Sequence, residues 1–392
     1  MKFSKFNKLG ASQGELDFVD IDPLKDKKLF VDPYAIQINA LDEDDPFYDC
    51  LLNFFSRLLD NMRAGNESRI RTMVGHLHEP GDTFLGLSRG RPQGRGLGTE
   101  QAMAVVSAIR QSDAFTTGQL EDFSEAELFV RGVGSDKISD LATNVLRAPL
   151  AQYTQSICAI YGIPTKQVAS APIWNMNAER WESKYLDLPI VHKKPVLLVP
   201  KAIVRRRLCL DSQEYYNYYI DFLQAELDST VGLASALRGA SGRVTKKNVK
   251  EQYPFDKSEL ARFAREHPDL FQEFKKIMES ADGISDGEID PEFVYSEAAL
   301  KLSAHVKNLP KGRDDASAYE KLIQSCMTLL FWPNLTFPIA QRPLHGGRKK
   351  IDIEFWNYAK SGFWRQMAND KKVLARTVPV ECKNYTVPRQ RL

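Results

Sequence analysis

The chain is poor in the side chains that build zinc, disulfide and redox sites. It has only five cysteines, Cys50, Cys158, Cys209, Cys326 and Cys382, and only six histidines in 392 residues. No two cysteines form a CxxC pair, so neither a zinc ribbon nor a dithiol redox motif is suggested. An odd, scattered set reads as reduced thiols in a cytoplasmic protein. No run of about 18 apolar residues occurs, and MKFSKFNKLG at the start has no apolar signal core. The expectation is therefore neither secretion nor membrane spanning. No GKS or GKT follows a glycine-rich loop, no internal repeat is present, and no Ser-His-Asp or Cys-His set is legible.

What is present suits a globular protein, with 43% hydrophobic and 27% charged residues. The net charge of +2 conceals an asymmetry. Residues 301–392 hold 17 Lys and Arg against 7 Asp and Glu, a net of +10, so the remainder is net −8. A basic stretch of this kind points to a polyanionic partner, with solvated surface charge as the plain alternative.

Along the chain three parts are expected: a mixed, mainly helical region at 1–190, a strand-helix region and linker at 191–310, and a last unit at 311–392. LDFVDIDP and LFVDPYAI near the start read as strand-like. Helical periodicity covers residues 47–71, 99–110, 150–162 and 214–227. Residues 113–148 read as two helices around a tight turn. The β-branched, basic run at 192–210 reads as one or two strands. The last unit runs helix (318–331), strand (335–342), a turn at HGGRKK, strand (350–357), a basic spacer, and strand VPVECKNY (378–385).

Charged residues inside those last strands ask for an explanation. Alternation puts Asp352 and Glu354 on one face of KIDIEF, and Glu381 and Lys383 on one face of VPVECKNY. Pairing of the two strands would bring Asp352, Glu381 and Lys383 to one sheet edge, with Glu320 on the preceding helix as a further acid. Converging carboxylates suit Mg²⁺ or Mn²⁺, which activate water and stabilise phosphoryl charge. The bland alternative is a set of edge-strand charges that blunt aggregation.

This pattern, Asp352 followed 29 positions later by Glu381-Cys382-Lys383 with Glu320 upstream, resembles the PD-(D/E)xK nuclease superfamily over about residues 313–392. The residue before Asp352 is Ile351 rather than proline. The resemblance implies a small restriction-endonuclease-like α/β domain following a mainly helical N-terminal region. It implies that Asp352 and Glu381 bind Mg²⁺ or Mn²⁺ with the Cys382 carbonyl as third ligand. Lys383 would position the nucleophile for hydrolysis of DNA, or of RNA by the same chemistry. It also implies a helix and strand after Lys383, where nine residues remain, so the domain is expected without its last helix and strand. A non-catalytic nucleic-acid-binding or assembly subunit with a degenerate nuclease fold is the second reading. The large accessory region suggests restriction or anti-phage defence, and a protein partner or homo-oligomer held through the N-terminal region.

Further nucleic-acid contacts are expected at Arg348, Lys349 and Lys350, and at the loop SRGRPQGRGLGTEQ, where Arg89, Arg91 and Arg95 alternate with glycines. A plain surface loop or a nucleotide-responsive switch are the other readings of that loop. Residues 124–146, with Gly132 and Gly134 around Val133, resemble a helix-hairpin-helix, which grips backbone phosphates through hairpin amides. Ser124 and Glu127 fit a capping box there, and a packed helical hairpin is the alternative. His76, His78 and Glu79 are a weak metal candidate. Tyr215, Tyr216, Tyr218 and Tyr219 read as core and rim rather than as a base-stacking platform.

Overall fold

Asp45 and Pro46 begin the helix around which much of the core forms. The Asp45 carboxylate accepts the N–H groups of Phe47 and Tyr48, and Pro46 occupies a position that needs no donor. In the resulting helix, Pro46–Arg63, the apolar residues Phe47, Cys50, Leu51, Phe54, Phe55, Leu58, Leu59 and Met62 recur at three- and four-residue steps, and all are buried. The computed structural model describes residues 1–40, 45–77, 81–86, 99–120, 122–229, 244–281, 283–344 and 348–385. Among them the protein is mixed α/β, with many helices and small antiparallel sheets.

Strand β1 (Phe30–Val31) is only two residues long and pairs with β7 (Val204–Arg205). LFVDPYAI therefore does not continue as a strand. Asp32 accepts from the N–H groups of Tyr34 and Ala35, and Pro33 starts the helix Pro33–Asn39. The Asp-Pro pair is a helix start, and it overrides the apolar run. Residues 165–191 hold strands not expected from the sequence. Strand β2 (Thr165–Ala169) pairs with β5 (Tyr185–Val191), and β5 also pairs with β6 (Lys194–Pro195). Between them β3 (Ile173–Asn175) and β4 (Arg180–Glu182) form a hairpin in which Trp174 and Trp181 face each other. The run 192–210 is mostly irregular, with only the short β6 and β7.

The helices expected at 99–110, 150–162, 214–227 and 318–331 appear as Thr99–Gln111, Arg147–Tyr161, Ser212–Ser229 and Ala316–Phe331. Three of the four tyrosines on Ser212–Ser229, Tyr215, Tyr216 and Tyr219, are buried, as core residues should be. The C-terminal sheet has the order β10-β9-β8: β8 is Leu335–Leu344, β9 is Lys349–Asn357 and β10 is Thr377–Val380. The spacer before β10 contains a further helix, Gly362–Asn369.

One hydrophobic core runs from Phe3 to Trp356 and crosses positions 190 and 310 without a break. A second, small cluster of Leu335, Ile353 and Phe355 lies on the C-terminal sheet. Buried polar groups join the two ends of the chain. Asp17 accepts the Tyr153 hydroxyl at 2.8 Å and the Phe337 N–H at 3.2 Å, tying the first residues to the helix Arg147–Tyr161 and to β8. Lys201, with no exposed surface, donates to Asp286 at 2.7 Å and lies 4.4 Å above the Trp332 ring. Gly14 sits so close to Phe293 and Leu329 that a Cβ would lie 2.4 Å from one and 2.6 Å from the other. These contacts hold the helix Ala316–Phe331 and the C-terminal sheet against the first 161 residues.

Candidate active site

The central strand β9 carries Asp352, and register decides its neighbours. On one side Val380, the last residue of β10, pairs with Ile353 in antiparallel sense, so Glu381 and Lys383, expected inside that strand, lie just past its end. On the other side Ala340 pairs with Ile353 and Arg342 with Ile351, which puts Gln341 across from Asp352. The Asp352 carboxylate accepts the backbone N–H of Cys382 at 2.6 Å. Gln341 donates through its side-chain amide to Glu320 at 3.3 Å. Lys383 donates to Glu381. The helix acid, the strand acid and the Glu-x-Lys element are thus neighbours.

Electrostatics register that proximity. The Glu320 carboxyl is pushed up, first by burial and then by Asp352, with Glu381 adding and Gln341 and Lys383 opposing. The Lys383 ammonium is pushed up by its hydrogen bond to Glu381, with Asp352 adding. Burial, then the Asp352 charge, raise the Cys382 thiol to about 11, which keeps it protonated and unreactive at neutral pH.

A cavity of about 310 Å³ opens over Asp352 and Glu320. Ser156, Ala159 and Ile160 of the helix Arg147–Tyr161 form one wall, and Lys321 and Gln324 belong to another. Neither that wall nor Gln341 was legible in advance. Both arise from long-range packing and from strand register, and Lys321 is hidden in the sequence only by being one more surface-type lysine. Glu354, expected beside Asp352, is buried and paired with Arg342, so it serves the sheet.

The donor set has the right chemistry for a hard divalent cation, since Asp352, Glu381 and Glu320 are all oxygen donors. Asp352 and Glu381 each already accept a hydrogen bond, from Cys382 and from Lys383. Among the described residues no three His, Cys, Asp or Glu side chains converge tightly enough to enclose an ion. A cation there would use the carboxylate oxygens that these hydrogen bonds leave open.

The other candidate residues are separate from this cluster. Arg348, Lys349 and Lys350 are exposed at the start of β9. Arg89, Arg91 and Arg95 lie outside the described residues, as do His78 and Glu79. His76 packs its ring 5.9 Å from that of Trp181. The tight turn at Gly132 and Gly134 is present, with Gly132 in the left-handed region at φ +77°. Its carbonyls are engaged: Lys137 donates to Gly132 and Lys257 to Val133, each at 2.7 Å. The expected capping box does not form. Asp122 caps the Ser124 N–H, and Glu127 instead accepts from Ser212 and Lys257, because burial there rewards a long-range partner.

The family model of a domain of unknown function, DUF8370, matches residues 8–211, more than half of the chain. The protein therefore belongs to that family. The matched region includes the helix wall Arg147–Tyr161 and stops before Glu320, Asp352 and Glu381. No curated protein and no solved structure matches the chain. No helix among the described residues is long and apolar enough to cross a membrane.

Proposed function

We propose that the protein is a metal-dependent nuclease of the PD-(D/E)xK kind that hydrolyses phosphodiester bonds, in DNA before RNA. The observation that supports this reading is the Cys382 N–H held by the Asp352 carboxylate, which keeps the Glu381–Lys383 segment beside the central strand, with the charges of Asp352 and Glu381 acting on both Glu320 and Lys383. Asp352 and Glu381, with Glu320 nearby, would hold Mg²⁺ or Mn²⁺. Bound there, the cation would supply an activated water and charge neutralisation at the phosphoryl group. The charged Lys383 ammonium, released from Glu381, orients the attacking water and adds positive charge beside the scissile phosphate. Gln341 fixes the Glu320 carboxyl, and the wall from the helix Arg147–Tyr161 narrows access to the carboxylates.

A second reading, a nucleic-acid-binding subunit that does not cut, draws on the mutual pairing of Glu381 with Lys383 and on the lack of a converged three-ligand group among the described residues. One assay separates the two. Supercoiled, linear and single-stranded DNA and RNA are incubated with the protein in Mg²⁺, Mn²⁺ or EDTA, alongside Asp352→Asn and Lys383→Met. Cutting that needs the cation and vanishes in both variants while binding persists supports the nuclease. Binding without cutting supports the second reading, and cutting that survives both substitutions sinks the site.

A further inference from the structure

We propose a second polynucleotide site, a basic groove between the helices Pro33–Asn39, Pro268–Ser280 and Gly362–Asn369 that binds the phosphodiester backbone. The inference rests on the reading of the chain as a protein of nucleic acids, and it assigns that role to residues away from the carboxylate cluster.

The groove consists of two adjoining depressions of about 590 and 210 Å³, which share Ile38, Lys360 and Arg365 in their walls. Five cations line them, Lys275, Lys276, Lys360, Arg365 and Arg376, against a single carboxylate, Glu279. That carboxylate is occupied, since it accepts the Tyr34 hydroxyl at 3.0 Å. Lys275 is neutralised by Glu125, and Lys360 donates to the Ala281 carbonyl at 2.8 Å. Lys276 and Arg365 are both exposed and have no carboxylate partner among the described residues. The remaining lining includes the amides of Gln37, Gln272 and Asn369, which can hydrogen-bond phosphate and sugar oxygens.

The scaffold under Arg365 is held in place. The buried Asn357 donates its side-chain amide to the carbonyls of Trp364 and Ala375, each at 2.8 Å, and so fixes the helix Gly362–Asn369 to the end of β9. A groove with excess positive charge, polar walls and a supported cation fits an extended polyanion. Open at this size, it fits a chain of phosphates better than one small anion. Asn357 and Asp352 lie on the same strand, five residues apart, which is roughly 17 Å at about 3.3 Å per residue. About five base pairs of a duplex cover that distance at about 3.4 Å per step along each strand.

The test measures binding without cutting. Fluorescence anisotropy of labelled 20-nucleotide single strands and duplexes is followed in EDTA from 50 to 200 mM salt. The wild type is compared with Lys276→Glu/Arg365→Glu and the milder Lys276→Gln/Arg365→Gln. Thermal melting confirms that each variant folds. The groove predicts that charge reversal weakens binding at least about tenfold and lowers the salt slope by about 2, with the glutamine pair intermediate. Unchanged affinity and slope in both double variants would overturn the groove while leaving the nuclease reading to its own cutting assay. Polyglutamate binding as tightly as nucleic acid would overturn the assigned partner class. A wild type that binds no polynucleotide overturns the groove outright.

Discussion

Asp352 accepts the backbone N–H of Cys382 at 2.6 Å, so the acid of the central strand also fastens the segment that carries Glu381 and Lys383. One carboxylate is thus both a candidate ligand and a structural acceptor, and substitutions can separate the roles. Asp352→Asn keeps a carbonyl acceptor for the amide, whereas Asp352→Ala leaves that N–H unpaired at a cost of about 1–2 kcal/mol. Both variants should lose cation-dependent cutting, while only Asp352→Ala should melt measurably earlier by calorimetry. Equal melting of the two would show that the Cys382 contact contributes nothing to stability.

Burial dominates at Asp17. It raises the carboxyl from its ordinary 3.8 to about 6, against the opposing effects of the Tyr153 hydroxyl and the Lys201 charge. A folded-state value above the unfolded one means the folded chain holds the proton more tightly. The stabilisation is therefore complete below about pH 4 and is lost as the pH rises through about 6. Asp17→Asn is neutral throughout and can still accept from Phe337. Its melting temperature relative to wild type should climb between pH 4.5 and 7, by an amount reflecting at most about 3 kcal/mol. A difference that stays flat with pH would show that Asp17 ionises normally in the fold.

The fully buried Lys201 makes its ion pair with Asp286 under the Trp332 ring. Removing one partner leaves a charge in a place that cannot solvate it. Asp286→Ala should cost about 3–5 kcal/mol. The double variant Lys201→Met/Asp286→Leu should be less damaged than Asp286→Ala alone, because no orphan charge remains. Denaturant titration of the three proteins reads this directly, and a double variant worse than Asp286→Ala would argue that the pair itself is net stabilising.

Much of the last unit was legible because its signals are local. The helix Ala316–Phe331 follows from apolar spacing and β9 from alternation in KIDIEF, whereas the strand expected at 378–385 ends at Val380, before Glu381 and Lys383. Asp352, Glu320, Glu381 and Lys383 stand out by residue type and by the spacing of the nuclease-like motif, and the charges of Asp352, Glu381 and Lys383 act on Glu320. The strands β2 to β5 were not legible: short pieces such as Arg180–Glu182 gain their stability from Trp181 and Trp174 packing on Phe54, a long-range event. The sequence shows only a basic spacer where the helix Gly362–Asn369 forms, since that helix is eight residues long and buries no residue fully.

By itself the sequence determined residue chemistry and short-range periodicity: an acid-rich pair of strands, a basic C-terminal stretch, and a chain without dithiol or long apolar runs. Only the tertiary structure decided which strand lies against which, because register rests on side-chain packing over the whole sheet. It put the Cys382 backbone and Gln341 on either side of Asp352, built one wall of the cavity from the helix Arg147–Tyr161, and gathered Lys276, Lys360 and Arg365 from distant segments into one groove. Charges far apart in a chain become a site only when burial of the apolar residues between them fixes where they face.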